Sequence, residues 1–238
     1  MIKKLLLSAL SFTMILGAFF TTDLSAQKRD DLAIIGAPLA DFTLPVYGGG
    51  DFKLSDAKGR NVLMVFIRGK YSPDGWCGIC MYQYVELVNA ELQMKLKEKY
   101  NLEVLFVMPF DSATIDKWFD ALPAELQDYY SWKEKDLTNA SAGEKRWAEY
   151  VKTHLKTIVY EKGKVPKPFK ILVDGDFALG KKMDIYKSEW SGSKLDQFQP
   201  TVILLDKNGT VVFKYMSQHT LDRPNTDYLI KMMDTLIK

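Results

Sequence analysis

The apolar residues fall into short dense runs and longer periodic ones. Residues 62–67 and 102–108 are dense in Val, Leu, Phe and Met, as strands covered on both faces are. Between them Met81, Val85, Val88, Leu92 and Leu96 recur at helical spacing, which predicts a helix over 77–99 with one buried face. Strand, long helix, strand is a right-handed crossover joining a parallel pair. Residues 169–173 are a further strand. Residues 201–205 and 210–215 flank Asp206-Lys207-Asn208-Gly209, where Asn-Gly supplies a hairpin turn. Residues 225–238 form a closing amphipathic helix. Near the start, Asp-Phe-Thr-Leu and Asp-Phe-Lys-Leu flank Tyr47-Gly48-Gly49-Gly50 and form another hairpin over 41–53. The expected fold is α/β: a mixed central sheet with helices on both faces, an N-terminal β-hairpin and a helical insertion.

The insertion is residues 112–164. It carries Trp118, Phe119, Tyr129, Tyr130, Trp132, Trp147 and Tyr150, and Trp147, Val151, Leu155 and Ile158 make a helical stripe. Two or three helices fit, expected as a subdomain with its own core. The functional alternative is a lid or partner surface beside the active site.

The N-terminus changes the cellular picture. Lys3 and Lys4 precede an apolar run over 5–20, followed by Leu24-Ser25-Ala26. This is the three-part pattern of a secretory signal, cleaved after Ala26, and the run is short of the ~20 residues that span a bilayer. Residues 27–35 are then a loose leader, and 36–238 one domain. Export to the periplasm is the expected location, where disulfides can form. The 238 residues are 47% apolar, enough for a core, and the formal net charge of +2 argues against a protein that grips nucleic acid.

The chemistry concentrates at Trp76-Cys77-Gly78-Ile79-Cys80. These are the chain's 2 cysteines, three apart, after a buried strand and opening a helix. Unpaired N–H groups at a helix start favour thiolate over thiol. A second thiol one turn on can attack a mixed disulfide and release the partner. As a staple, so short a loop contributes only about 2 kcal/mol. A metal site would need two more ligands, and His154 and His219 lack ligand-like spacing, so no metal or other cofactor is expected.

Four stretches resemble the thioredoxin-like superfamily, in its alkyl hydroperoxide reductase/thiol-specific antioxidant (AhpC/TSA, peroxiredoxin-like) branch. They are Ala37-Pro38 through Leu44; Val65 to Gly69 with the W-C-x-x-C turn and Gln83; Pro168 to Gly175; and Pro200-Thr201 through Gly209. Asp222-Arg223-Pro224 is a weaker point of likeness. The resemblance implies a cis Pro200 beside the cysteines and a redox-active Cys77–Cys80 disulfide. In a dithiol reductase it makes Cys77 the exposed nucleophile and Cys80 the resolving thiol. Trp76 packs over the pair, and Pro200 and Thr201 shape a groove with backbone open to a partner strand. Glu86 is a candidate proton carrier, but six residues past Cys80 it does not share that face cleanly and reads better as surface charge.

The departures matter. In the peroxidase pattern P-x-x-x-[TS]-x-x-C, Cys80 pairs with Pro73 but puts Cys77 where a hydroxyl residue belongs, while Cys77 in the last place puts Lys70 and Asp74 in the others. Pro200 stands where peroxidases carry a late-strand arginine, Gln83 replaces an acidic residue, and Arg68 is a substitute cation. The leading expectation is therefore an exported thiol–disulfide oxidoreductase acting on disulfide-bearing exported proteins and fed by a membrane thiol reductase. The alternatives are a peroxidase with Cys80 peroxidatic and Cys77 resolving, and a copper-delivery module of the same fold.

Overall fold

The computed structural model describes residues 33–161 and 163–237. The segment expected as a secretory signal and most of the expected leader lie outside the described residues. The chain forms β1 (Thr43–Pro45), β2 (Asp51–Lys53), β3 (Asn61–Phe66), α1 (Gly78–Met94), α2 (Leu96–Lys99) and β4 (Leu102–Met108). Then follow α3 (Ser112–Ser131), α4 (Ala142–His154), β5 (Lys170–Val173), α5 (Ala178–Lys182), β6 (Tyr186–Lys187), β7 (Gln197–Phe198), β8 (Thr201–Leu205), β9 (Val211–Met216) and α6 (Thr226–Leu236).

The central sheet has five strands in the order β5-β4-β3-β8-β9. β3 runs parallel to β4, and β4 to β5, whereas β8 is antiparallel to both β3 and β9. β3 is buried throughout. Its side chains alternate: Leu63 and Val65, with Ile67 just past the strand, enter one core with α1, α3 and α6, and Val62, Met64 and Phe66 enter a second. The second face is covered by the β1–β2 hairpin, α5 and Phe198. The two-residue period of a strand thus builds two cores from one apolar run.

Three expectations need correction. α1 is not one-faced. Every residue from Gly78 to Val88 is buried, because the helix lies between the sheet and α3 and α6, and Leu92 at its far end is exposed. The helical run is also broken at Lys95, whose left-handed φ of 50° ends α1 before α2 begins. The insertion has no core of its own: Ile115, Trp118, Leu122, Leu126 and Val151 belong to the same buried cluster as β3 and β4. Trp118 and Phe119 pack edge-on against Tyr84 of α1. α3 starts at Asp111, whose side chain accepts from the Thr114 N–H, and α4 starts with a capping box between Ser141 and Glu144. No helix among the described residues is long and apolar enough to cross a membrane.

Candidate active site

Cys77 is the residue before the first turn of α1, and its N–H donates to the Gly69 carbonyl at 2.9 Å. Gly69 has φ 84° and faces the Phe110 ring so closely that any side chain there would collide with it. That glycine lets the chain leaving β3 turn back to hold the cysteine. Cys80, one turn into α1, is fully buried. The two sulfurs lie 2.7 Å apart and share a hydrogen bond.

The pair is surrounded by cation and amide. Burial pushes the Cys80 thiol up, but the Cys77 hydrogen bond, the Arg223 guanidinium and the backbone of Gly69 and Arg68 outweigh it and bring it to about 6. Cys77 moves the other way, raised by its hydrogen bond to Cys80 and by burial. Two thiols this close share one proton, so the first ionisation is easy and the second hard. The additional backbone partners of Cys80 favour the first charge on that sulfur.

Arg68 is beside the pair. It is 2% exposed and donates to Gln197 Oε1 at 2.6 Å, Thr220 Oγ1 at 3.1 Å and the Trp190 carbonyl at 3.2 Å. Burial lowers its guanidinium from the usual value, and the two thiols act in the opposite direction. Arg223 approaches from the loop before α6. Its Nη1 donates to the His219 and Asp222 carbonyls, while Nε and Nη2 are buried without a partner. Both guanidinium carbons stack on the Trp190 ring, at 5.2 and 5.5 Å from its centroid. The sequence offered Arg68 as a substitute cation. Arg223 and Trp190 were missed as site residues, and the signal for Arg223 was the Asp222-Arg223-Pro224 stretch.

A cleft of about 250 Å3 opens on this centre, lined by Arg68, Tyr71, Cys77, Tyr129, Ser191, Gly192, Ser193 and Thr220. Cys77 is the sulfur that lines it, though at 3% exposure it is recessed and not the exposed nucleophile expected. Tyr129 comes from α3, so the aromatic insertion does reach the site. Its ring fills the space a side chain at Gly78 would need.

Other expected residues are placed differently. Trp76 does not line the cleft; it meets Phe110 edge-on at 5.8 Å and carries Lys70 over its ring. Pro200 follows a trans bond, since the described residues include no cis peptide. Its backbone is not open to a partner: the Gln199 N–H donates to the Ile185 carbonyl at 2.7 Å, and the Pro200 carbonyl accepts from the Ser217 N–H at 2.9 Å. Thr201 is buried at the start of β8, and its hydroxyl donates to the Gln199 carbonyl. Glu86 is not surface charge; it is 6% exposed and accepts from the Thr226 N–H and hydroxyl and from Tyr82. Gln83 is buried with both amide atoms unpartnered, beside a smaller cavity it shares with Glu86 and Arg223. Neither His154 nor His219 lines the Cys77 cleft.

The AhpC/TSA family model matches residues 35–214, which include both cysteines and the whole insertion. The chain belongs to the AhpC/TSA family. It is an oxidoreductase of thioredoxin-like fold. Comparison with curated proteins gives no match. Among solved structures, a reduced 2-Cys peroxiredoxin from Plasmodium vivax is similar at TM-score 0.52 and 15% identity, covering 84% of this chain and 80% of that one. The bacterioferritin comigratory protein of Xanthomonas campestris is similar at TM-score 0.50 and 17% identity, covering 85% of this chain and 94% of that one. These likenesses show a common fold. This AhpC/TSA chain builds its cationic surroundings from Arg68 and Arg223, with Pro200 standing just before β8.

Proposed function

We propose that this chain is a thiol-dependent peroxidase in which Cys77 meets the peroxide and Cys80 closes a Cys77–Cys80 disulfide. The observation that carries the reading is access: Cys77 lines the cleft and Cys80 is sealed beneath it. A proton passing from Cys77 to Cys80 within the hydrogen-bonded pair puts the thiolate where the substrate arrives. Cys77 Sγ attacks one peroxide oxygen, the O–O bond breaks, and the leaving oxygen departs protonated as water or an alcohol. Cys80 Sγ then attacks the Cys77 sulfenic acid, the S–O bond breaks, and water leaves. The dithiol supplies both electrons and both protons. Arg223 favours the thiolate form of each sulfur before it attacks. Family membership supports peroxide as substrate, as does the alkyl peroxide reduction activity described for the Xanthomonas protein. Reduction of folded partners has weaker support, because the backbone around Pro200 is already paired within the chain.

A second reading makes Cys80 the oxidised sulfur and Cys77 the resolving one. Its support is the lowered ionisation of Cys80, to about 6. In either reading we place the protein outside the cytoplasm, on the strength of residues 1–26, with a membrane thiol reductase regenerating the dithiol through Cys77. The test mixes reduced protein, residues 27–238, with hydrogen peroxide and counts remaining thiols against time. The expected result is loss of both thiols per equivalent of peroxide, far faster than for an ordinary thiol. A rate no faster than that, with rapid reduction of a protein disulfide instead, overturns the proposal.

A further inference from the structure

The cleft over Cys77 is larger than a peroxide group needs. Its volume is about 250 Å3, whereas a molecule of water size takes up ~30 Å3. Its lining contains no carboxylate and has Arg68 on one wall. Arg68 spends three of its N–H groups on Gln197, Thr220 and the Trp190 carbonyl. A guanidinium has five, so one N–H on each terminal nitrogen remains. Ser193 lines the same cleft. It is 4% exposed, and its hydroxyl is buried without any partner. Buried polar groups are nearly always paired, so an orphan one on a cleft wall is a place where a bound acceptor would be stabilised. Arg223 adds a second positive charge across the Trp190 ring. Tyr71 and Tyr129 supply aromatic wall to cover a carbon skeleton.

We propose that the cleft takes a compact hydroperoxide bearing a carboxylate. The carboxylate accepts from the free N–H groups of Arg68 and the Ser193 hydroxyl, and the peroxide group lies against Cys77 Sγ. Redox chemistry is unchanged: the O–O bond is reduced to an alcohol and water, and the carboxylate leaves intact on the product. A neutral peroxide leaves the Ser193 hydroxyl and the two remaining Arg68 N–H groups without a partner, and a site built around polar partners discriminates strongly against a substrate that lacks them. This inference rests on the peroxidase reading of Cys77.

The grip on the carboxylate is testable without turnover. Reduced protein is alkylated with iodoacetate and, separately, with iodoacetamide, and the modified cysteine is located by mass spectrometry. The two reagents share size and leaving group and differ in charge. At Cys77 the iodoacetate-to-iodoacetamide rate ratio is expected to exceed that of a free thiol at least tenfold, and Ser193→Ala to lower it at least threefold. A ratio equal to the free thiol's, or one untouched by Ser193→Ala, overturns the assignment. Turnover of a carboxylate-bearing alkyl hydroperoxide, with dithiothreitol as the reductant, is then compared with that of its methyl ester. A kcat/KM at least tenfold higher for the acid supports the proposal, and equal values overturn it while leaving the peroxidase reading intact. No turnover of either, with hydrogen peroxide still reduced, overturns the carboxylate-bearing substrate alone; no turnover of any of the three overturns the peroxidase reading with it.

Discussion

Arg223 presents two buried N–H positions with no partner of their own beside two sulfurs whose ionisation it lowers. Removing an opposite charge this close moves a pKa by about 1–3 units. Arg223→Gln is therefore expected to raise the first thiol ionisation from about 6 by at least one unit, read as thiolate absorbance against pH; an unmoved titration contradicts the role. Stability follows from the same shifts. Cys80 is depressed from 9.0 to about 6, so its thiolate stabilises the reduced fold as pH rises from 6 toward 9, and that stability is lost as pH falls back through 6. Cys77 is raised, so above about 9 it works in the opposite sense. Urea unfolding of the reduced protein against a Cys77→Ser, Cys80→Ser double variant should show the difference growing from pH 6 to 9. A flat difference contradicts the paired ionisation. The cysteines themselves were legible because two residues three apart after an apolar run form a local pattern. Arg223 acts from 143 positions beyond Cys80, and only tertiary packing of the loop before α6 brings it there.

Among the elements, α3 and α4 depart furthest from expectation. Their aromatic stripe looked like a separate core, since a periodic apolar face requires a partner without saying which. The partner is α1 and the sheet: Trp118 is fully buried against Tyr84 and Phe119. Trp118→Ala is expected to cost about 3–5 kcal/mol of stability for the whole domain, seen as one cooperative unfolding transition at lower denaturant. A variant that melts α3 and α4 alone, leaving the sheet's transition in place, contradicts the shared core. Strands β3, β4 and β8 were readable because dense branched runs leave little else for the backbone to do. The short β6–β7 pair was not, since two-residue strands carry no period. That pair brackets the loop bearing Trp190 and Ser193, which line or support the site, so the part of the site on irregular chain escaped the pattern.

At the scale of the whole molecule, the fold divides access from charge. The sheet and α1 bury Cys80 among cations and amides, and the insertion, the 190–193 loop and the 217–223 loop leave a recessed opening at Cys77. On the proposed reading, peroxide reaches Cys77. The direct measurement is sulfenic acid trapping on single-cysteine variants. Cys80→Ser and Cys77→Ser proteins each receive one equivalent of hydrogen peroxide with a dimedone-type trap, and the adduct is located by mass spectrometry. The expected result is adduct at Cys77 in the Cys80→Ser protein, slower than wild-type thiol loss because Cys80 no longer takes its proton, and little at Cys80 in the Cys77→Ser protein. Fast labelling of Cys80 in the latter, with Cys77 inert in the former, would reverse the roles of the two sulfurs and contradict it.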